Sequence, residues 1–275
     1  MSNIIRPTKQ RRFQDPYIEP VYGKRGPCAL CKNYSDLTED HIPPESLGNF
    51  DRWLANSYLV SSSANPELYV GRQFRGGVRF RTLCADCNNS LGGREDRALA
   101  DFHWKVRRQL ESTIIVDGTI RISAKPNLIY RCVLAHLVAA NESGVPTQFD
   151  TEVRDLFFRR KPLSFSSWNL FYWIYIRKEI FVMRNAYRTS FLPRVELNPT
   201  QIMKIYPLAF MLTQRTWFYG VPNMRQFLRP DDDEEGELPV QFDRWDTSPV
   251  WPIVAENNGA IFLAGSSFGF VASRG

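Results

Sequence analysis

The most regular pattern of apolar and polar positions lies just after the second of two cysteine pairs. Ala98, Leu99, Phe102, Val106 and Leu110 recur at three- and four-residue steps, so a helix following Cys87 would carry them as one stripe. Gly92 and Gly93 weaken its first turn and leave its start open. Upstream, Val78–Leu83 alternates well enough to predict a short strand, and the polar SSSANPE run, Ser61–Glu67, predicts a loop. Downstream, TIIVDGTIRIS predicts two short strands around Asp117–Gly118, a residue pair that suits a hairpin turn. Pro126, favourable at a first helical position, opens a predicted helix through about Ala140, and a second short helix is expected after Phe149. Trp168 to Arg188 is aromatic and β-branched and predicts a strand pair turning near Lys178–Glu179. Leu208–Thr213 and Ala260–Ala264 predict two further strands.

Together these elements predict an α+β protein, and its 275 residues suit two modest domains. Residues 1–20 read as a basic arm in which Pro7, Pro16 and Pro20 oppose regular structure. Residues 21–110 hold the cysteine pairs in a segment rich in Gly, Pro, Ser and Asn, and residues 111–275 change character to a larger α+β domain. There are no internal repeats. No stretch approaches the ~20 apolar residues of a membrane helix. The start, MSNIIRPTKQRRF, lacks the apolar core and cleavage site of a secretory signal. A cytoplasmic protein without membrane association is expected.

Net charge is +6 and the pI about 9.1, a mild attraction for polyanions. The clusters say more than the total: Lys9, Arg11 and Arg12; Lys24 and Arg25; Arg72, Arg75, Arg79 and Arg81; Lys105, Arg107 and Arg108. If they share a face, the N-terminal segment carries a phosphate-binding surface; the plainer alternative is solvated charge without a partner.

Four of the five cysteines form two C-x-x-C pairs, Cys28/Cys31 and Cys84/Cys87. Each pair can turn two thiolates onto one ion, and two pairs supply the four ligands of a structural zinc site. The 52-residue insert between the pairs is a small obstacle, because loop-closure entropy grows slowly with length. Cys132, among apolar neighbours on a predicted helix, reads as a buried small hydrophobe.

Between the pairs stands LTEDHIPPESL, with Asp40 and His41, and directly after the second pair comes Asn88, in CADCNNSLGG. This ordered set resembles the HNH, or ββα-metal, endonuclease superfamily over roughly residues 25–110. It is most similar to the zinc-bearing branch that includes phage recombination endonucleases acting on branched DNA. The resemblance implies a zinc-stabilised ββα-metal domain followed by the larger α+β domain. It also implies phosphodiester hydrolysis of nucleic acid, DNA above all, and by the company such domains keep, anti-phage defence.

The residues suit that chemistry. Asp40 and Asn88 offer oxygen atoms to a hard divalent cation. His41, outside the metal shell, can take a proton from an attacking water as a neutral imidazole. Where many of the superfamily carry histidine, this chain has Asn88, which shifts the expected catalytic metal from zinc or nickel toward Mg2+ or Mn2+. Asn88 also suits a helix cap, and capping and coordination compete for the same oxygen; coordination is expected here. Asn89 is the alternative ligand if the register differs by one.

The superfamily's central asparagine is not evident: Arg79 stands about where spacing would put it, and Asn49, Asn56 or Asn65 could serve only through a different loop path. Because neighbouring side chains on a strand point to opposite faces, Asp40 and His41 must sit where a strand twists or ends, and Pro43–Pro44 supplies a terminus.

Glu95 and Asp96 could contribute to the metal site through water, but read rather as first-turn acids complementing a helix dipole, and His103 and His136 read as structural residues far from the motif. In residues 111–275 the aromatic strands read as core, unless a sheet face is exposed near Arg177, Arg184 and Arg188. The run DDDEEGE, Asp231–Glu237, reads as a solvated loop or as a competitor with nucleic acid for the basic face. This half is the expected place for docking a protein partner or a second copy. The rival to a nuclease is a zinc-containing nucleic-acid-binding or interaction module without catalysis.

Overall fold

One helix of 26 residues, Ala85–Leu110, runs without interruption through Gly92 and Gly93. Two interior glycines cost roughly 2 kcal/mol relative to alanine. Buried Leu91, Leu99, Phe102 and Val106 offset that, since packing of an apolar face supplies most helical stability in proteins.

The computed structural model describes residues 13–14, 23–61, 64–65, 68–112, 118–141, 146–190, 196–216, 220–243, 245–246, 260–263 and 269–274. The strands of the first part are β1 (Phe13–Gln14), β2 (Arg25–Pro27), β3 (Tyr34–His41), β4 (Trp53–Ser57), β5 (Tyr69–Val70), β6 (Arg72–Phe74) and β7 (Arg79–Cys84). Those of the second are β8 (Thr119–Ala124), β9 (Asn169–Tyr175), β10 (Ile180–Ser190), β11 (Glu196–Ile205), β12 (Leu208–Thr213), β13 (Gly236–Gln241), β14 (Trp245–Asp246), β15 (Ala260–Leu263) and β16 (Gly269–Arg274). The helices are α1 (Tyr58–Ser61), α2 (Ala85–Leu110), α3 (Pro126–Ala139) and α4 (Gln148–Phe157). The chain is therefore mixed α+β.

Three strands in the order β2-β3-β7 form a small antiparallel sheet, and β7 feeds directly into α2. The large sheet runs β14-β9-β12-β11-β10-β16-β4-β6, with β15 also on β10. Residue 110, where the sequence changes character, is no boundary for this sheet: β4 and β6 join it through β16. One apolar cluster correspondingly reaches from Cys28 to Ala272.

The sheet is buried on both faces. Leu170, Tyr172 and Ile174 of β9 point into the cluster shared with α2, α3 and α4, while Phe171, Trp173 and Tyr175 point into a second cluster on the far side. Two-sided burial explains the unbroken aromatic run of β9.

β9 and β10 exist about where the sequence predicts them, with Lys178–Glu179 in their connection, but they do not pair: β12 and β11 lie between them. Successive hairpins join β10, β11 and β12, and β9 lies against β12, a Greek-key arrangement. A strand apolar on both faces carries no alternation to specify its neighbour. Of the hairpin expected around Asp117–Gly118, residues 113–117 lie outside the described residues, and β8 pairs with β13 instead. The expected basic arm falls almost wholly outside them as well.

The aromatic strands are core, as expected, and the alternative of an exposed face near the arginines does not hold. Arg184 is not on an exposed face; it is buried and paired with Asp150, the residue that closes the capping box of α4. Arg177 pairs with Glu179, and the side chain of Arg188 lies outside the described residues. The acidic run is largely exposed, as expected of a solvated loop, and it is also ion-paired: Asp232 bridges Arg131 and Arg159, and Asp233 bridges Arg94 and Lys125. No helix among the described residues is long and apolar enough to cross a membrane.

Candidate functional site

The cysteine pairs sit at two junctions. Cys28 and Cys31 occupy the turn after β2, which closes by Lys32 N–H donating to the Cys28 carbonyl at 2.9 Å, with Lys32 at φ 69°. Cys84 ends β7 and occupies the N-cap of α2, with Cys87 in its first turn. The register of β7 against β3 slips at Thr82, whose carbonyl accepts the Ala29 N–H at 2.8 Å and so ties the first turn to the second strand.

All four sulfurs lie within 4.8 Å of one another, and Cys31 Sγ is 3.7 Å from Cys84 Sγ. A zinc ion at ~2.3 Å from each of four tetrahedral sulfurs sets them ~3.8 Å apart. The cluster thus fits a metal such as zinc, with every position filled by thiolate. A hydrogen bond from Cys87 draws the Cys28 pKa down to about 4, and the same contact pushes the Cys87 thiol up. Burial pushes Cys31 up. One thiolate is stabilised by its neighbours' S–H groups, whereas four together need a cation among them.

The cysteine cluster brings the β2–β3 turn to the start of α2, and α2 lies beside the end of β3. Between them is a cavity of about 310 Å3 lined by Glu39, Asp40, His41, Glu45, Asn88 and Asp96, among others. The sequence places Asp40, His41 and Asn88 in one motif, and the structure brings all three to this cavity. Asn88 is not the helix cap, since Cys84 holds that position. Its Nδ2 donates to Thr38 Oγ1 at 3.0 Å and to the Glu39 carbonyl at 3.1 Å, while its Oδ1 accepts no hydrogen bond from the described residues. The amide is thereby oriented with its oxygen available.

β3 ends at His41, as the alternation argument requires: Asp40 is buried and His41 half-buried. His41 Nε2 lies 2.9 Å from the Gly76 carbonyl. A carbonyl only accepts, so Nε2 carries a proton, and in the neutral imidazole Nδ1 is the atom with the lone pair. Glu45 Oε2 lies 4.0 Å from Nδ1. Gly77, at φ 95°, packs so closely that a Cβ there would come within 2.5 Å of the imidazole Cδ2.

The residue that organises this loop is Asn49, not Arg79. Fully buried Asn49 donates through Nδ2 to the Pro43 carbonyl at 2.7 Å and the Val78 carbonyl at 3.1 Å, and its Oδ1 accepts the Val78 N–H at 2.7 Å. It fastens the segment after His41 to the segment after Gly76 and Gly77. Arg79 instead pairs with Glu39, as does Arg81. Asn49 was visible as one of three candidate asparagines, but the loop path that selects it was not.

Sequence reasoning missed His136. It approaches from α3, fully buried, with Nδ1 3.1 Å from Asp40 Oδ2 and Nε2 2.7 Å from Asp96 Oδ1. Burial opposes its charge, yet the Asp40 and Asp96 carboxylates on either side outweigh that and hold its pKa well above the ordinary value. Asp96 is no first-turn dipole partner, because α2 begins at Ala85 and places it in the fourth turn, on the Asn88 face. Glu95 is buried against Arg159. Cys132, buried as expected, donates its thiol to Asp96 Oδ1 at 3.2 Å. His103 alone of the two is a core residue, away from the cavity.

Of the predicted basic clusters, Arg25 pairs with Asp36, Lys105 with Asp101 and Arg107 with Glu111. Arg97 lines the cavity and has no ion pair among the described residues. No protein-family model, no curated protein and no solved structure matches the chain.

Proposed function

We propose that this chain is a metal-dependent endonuclease of the HNH kind, hydrolysing phosphodiester bonds of nucleic acid, with DNA the favoured substrate. The observation that carries the reading is the convergence of Asp40, His41 and Asn88 on one cavity, with His41 held through Nε2 so that Nδ1 is its basic atom. The strand–strand–helix frame of β3, β7 and α2, stapled by the four cysteines, supports the ββα-metal assignment.

In this mechanism the Asp40 carboxylate and Asn88 Oδ1 would hold a divalent cation, Mg2+ or Mn2+ by the hardness of those donors. When bound, the cation supplies charge stabilisation at the phosphate and the departing oxygen. His41 Nδ1 takes the proton of the attacking water, and the Gly76 carbonyl stabilises the imidazolium that forms. Arg97, which lines the cavity and has no ion pair among the described residues, contacts a phosphate of the substrate. The zinc site is structural in this reading, with no coordination position left for water or substrate. A role in anti-phage defence is the accompanying proposal.

Cleavage of plasmid and branched DNA by purified protein with Mg2+ or Mn2+ tests the reading. His41→Ala should lower the rate by about 10²–10⁴-fold while retaining DNA binding. Equal rates in wild type and variant would remove His41 from its role. Binding without any turnover would favour a non-enzymatic module, and zinc outperforming both Mg2+ and Mn2+ would count against the oxygen-ligand site.

A further inference from the structure

Behind the cavity, two of the carboxylates that line it are joined by a buried residue from outside the β3–β7–α2 frame. His136, 96 residues along the chain from Asp40, joins Asp40 Oδ2 and Asp96 Oδ1 through its two ring nitrogens. We propose that His136 is a positioning residue that fixes Asp40 and Asp96 as two carboxylates serving one divalent cation, so that α3 completes the cation site. This rests on the nuclease reading above.

Three observations carry it. First, Asp40 and Asp96 both line the cavity, so the bridge is open to it on one side. Second, each carboxylate commits one oxygen to the imidazole, which leaves the other oxygen of each for a ligand. Cys132 adds its thiol to the already committed oxygen of Asp96, fixing that carboxylate from a second direction.

Third, the face of α2 that meets the cavity is cleared for the purpose. Asn88, Gly92 and Asp96 follow at four-residue steps, stacking on one side of the helix. A Cβ at Gly92 would lie 3.8 Å from Asp96 Oδ2, so any longer side chain there would stand between the Asn88 amide and the Asp96 carboxylate. Glycine inside a helix is costly, and here it leaves room for an ion or its waters. Two carboxylates and an amide oxygen form a donor set suited to Mg2+ or Mn2+. The buried imidazole holds two like charges near one another before any cation arrives, and it limits their rotation. Hydrogen-bond partners that orient metal ligands commonly contribute about 10–100-fold in affinity.

The experiment measures Mn2+ binding directly, by the free-ion electron paramagnetic resonance signal, on the full-length zinc-loaded protein without substrate. Wild type, His136→Ala, His136→Gln and Asp96→Asn are compared at matched zinc content and with melting temperatures recorded. The expected result is Mn2+ affinity about 10–100-fold weaker in His136→Ala, a smaller loss in His136→Gln, which can still donate one hydrogen bond, and weakening in Asp96→Asn. Unchanged Mn2+ affinity in a folded His136→Ala protein overturns the role of His136 and leaves the nuclease reading standing. If His136→Ala does not fold, Asp96→Asn decides, since Asp96 is partly exposed: wild-type affinity there overturns the proposal. Wild type that binds no Mn2+ yet cleaves DNA overturns the cation site alone, and wild type that does neither overturns the nuclease reading with it.

Discussion

Replacing Asn49 with alanine should unlace the loop that presents His41. The side chain makes three hydrogen bonds in a fully buried position, to the Pro43 carbonyl, the Val78 carbonyl and the Val78 N–H. The Val78 carbonyl keeps a partner in the Ile42 N–H at 3.0 Å. The Pro43 carbonyl and the Val78 N–H would be left buried without these contacts, at roughly 1–3 kcal/mol each. Water entering the vacated space would recover part of that, so a loss of about 2–4 kcal/mol is expected in urea denaturation of the zinc-loaded protein.

Stability is only half of the effect. Asn49 ties the chain just after His41 to the chain just after Gly76, whose carbonyl holds the imidazole. Displacing a reacting group by ~1 Å can cost about 10²-fold in rate, and a loss of that size is expected for Asn49→Ala in DNA cleavage at a temperature where it remains folded. Asn49→Asp separates hydrogen bonding from shape. It preserves volume and can still accept from Val78 N–H, but it turns a carboxylate toward two carbonyl oxygens, so it should be at least as harmful as alanine. If Asn49→Asp is near wild type in both stability and rate, or Asn49→Ala costs less than about 1 kcal/mol, the account of this loop is wrong.

Gly77→Ala should displace the same imidazole from the other side, because the added Cβ would lie 2.1 Å from the Asn49 carbonyl at a φ of 95° that disfavours alanine; near-wild-type cleavage would contradict this. The purified protein should carry one zinc by elemental analysis, and Cys31→Ser or prolonged chelation should remove it and lower the melting temperature by on the order of 10 °C or more. Retention of full stability without metal would argue against the staple. His103, buried in α2, has its pKa lowered to about 3 by burial first and by Arg107 second, against an ordinary value of 6.5. Its neutral form stabilises the fold fully above pH 6.5, and that contribution is lost as pH falls toward 3, because the unfolded chain takes up the proton first. Between pH 7 and 5, wild type should therefore lose about 2 kcal/mol more than His103→Leu, and parallel urea curves for the two would refute the assignment.

What the sequence determined by itself is local. The three- and four-residue steps from Ala98 to Leu110 specified a buried helical stripe, and Pro126 marked the first residue of α3. The two C-x-x-C pairs were legible as a ligand set because each closes within one turn, so their spacing alone says that two sulfurs face the same way. Asp40, His41 and Asn88 could be named because their order relative to the cysteine pairs resembles the HNH superfamily, and the structure brings all three to one cavity. Periodicity records which face of an element is buried, not what buries it. β9 and β10 were therefore visible as strands while the insertion of β11 and β12 between them was not.

The same limit hid the rest of the site. His136 looks from the sequence like any histidine on an apolar helix; only the packing of α3 against α2 sets it between Asp40 and Asp96, and a contact across 96 residues leaves no spacing to read. The acidic run is exposed, as its charge suggests, but only the fold brings Arg94, Lys125, Arg131 and Arg159 to meet it. Asn49 was chosen over Arg79 by the path of a loop whose hydrogen bonds are all tertiary. Chain-local geometry thus supplied the residues of the proposed site, and long-range packing decided which groups they meet.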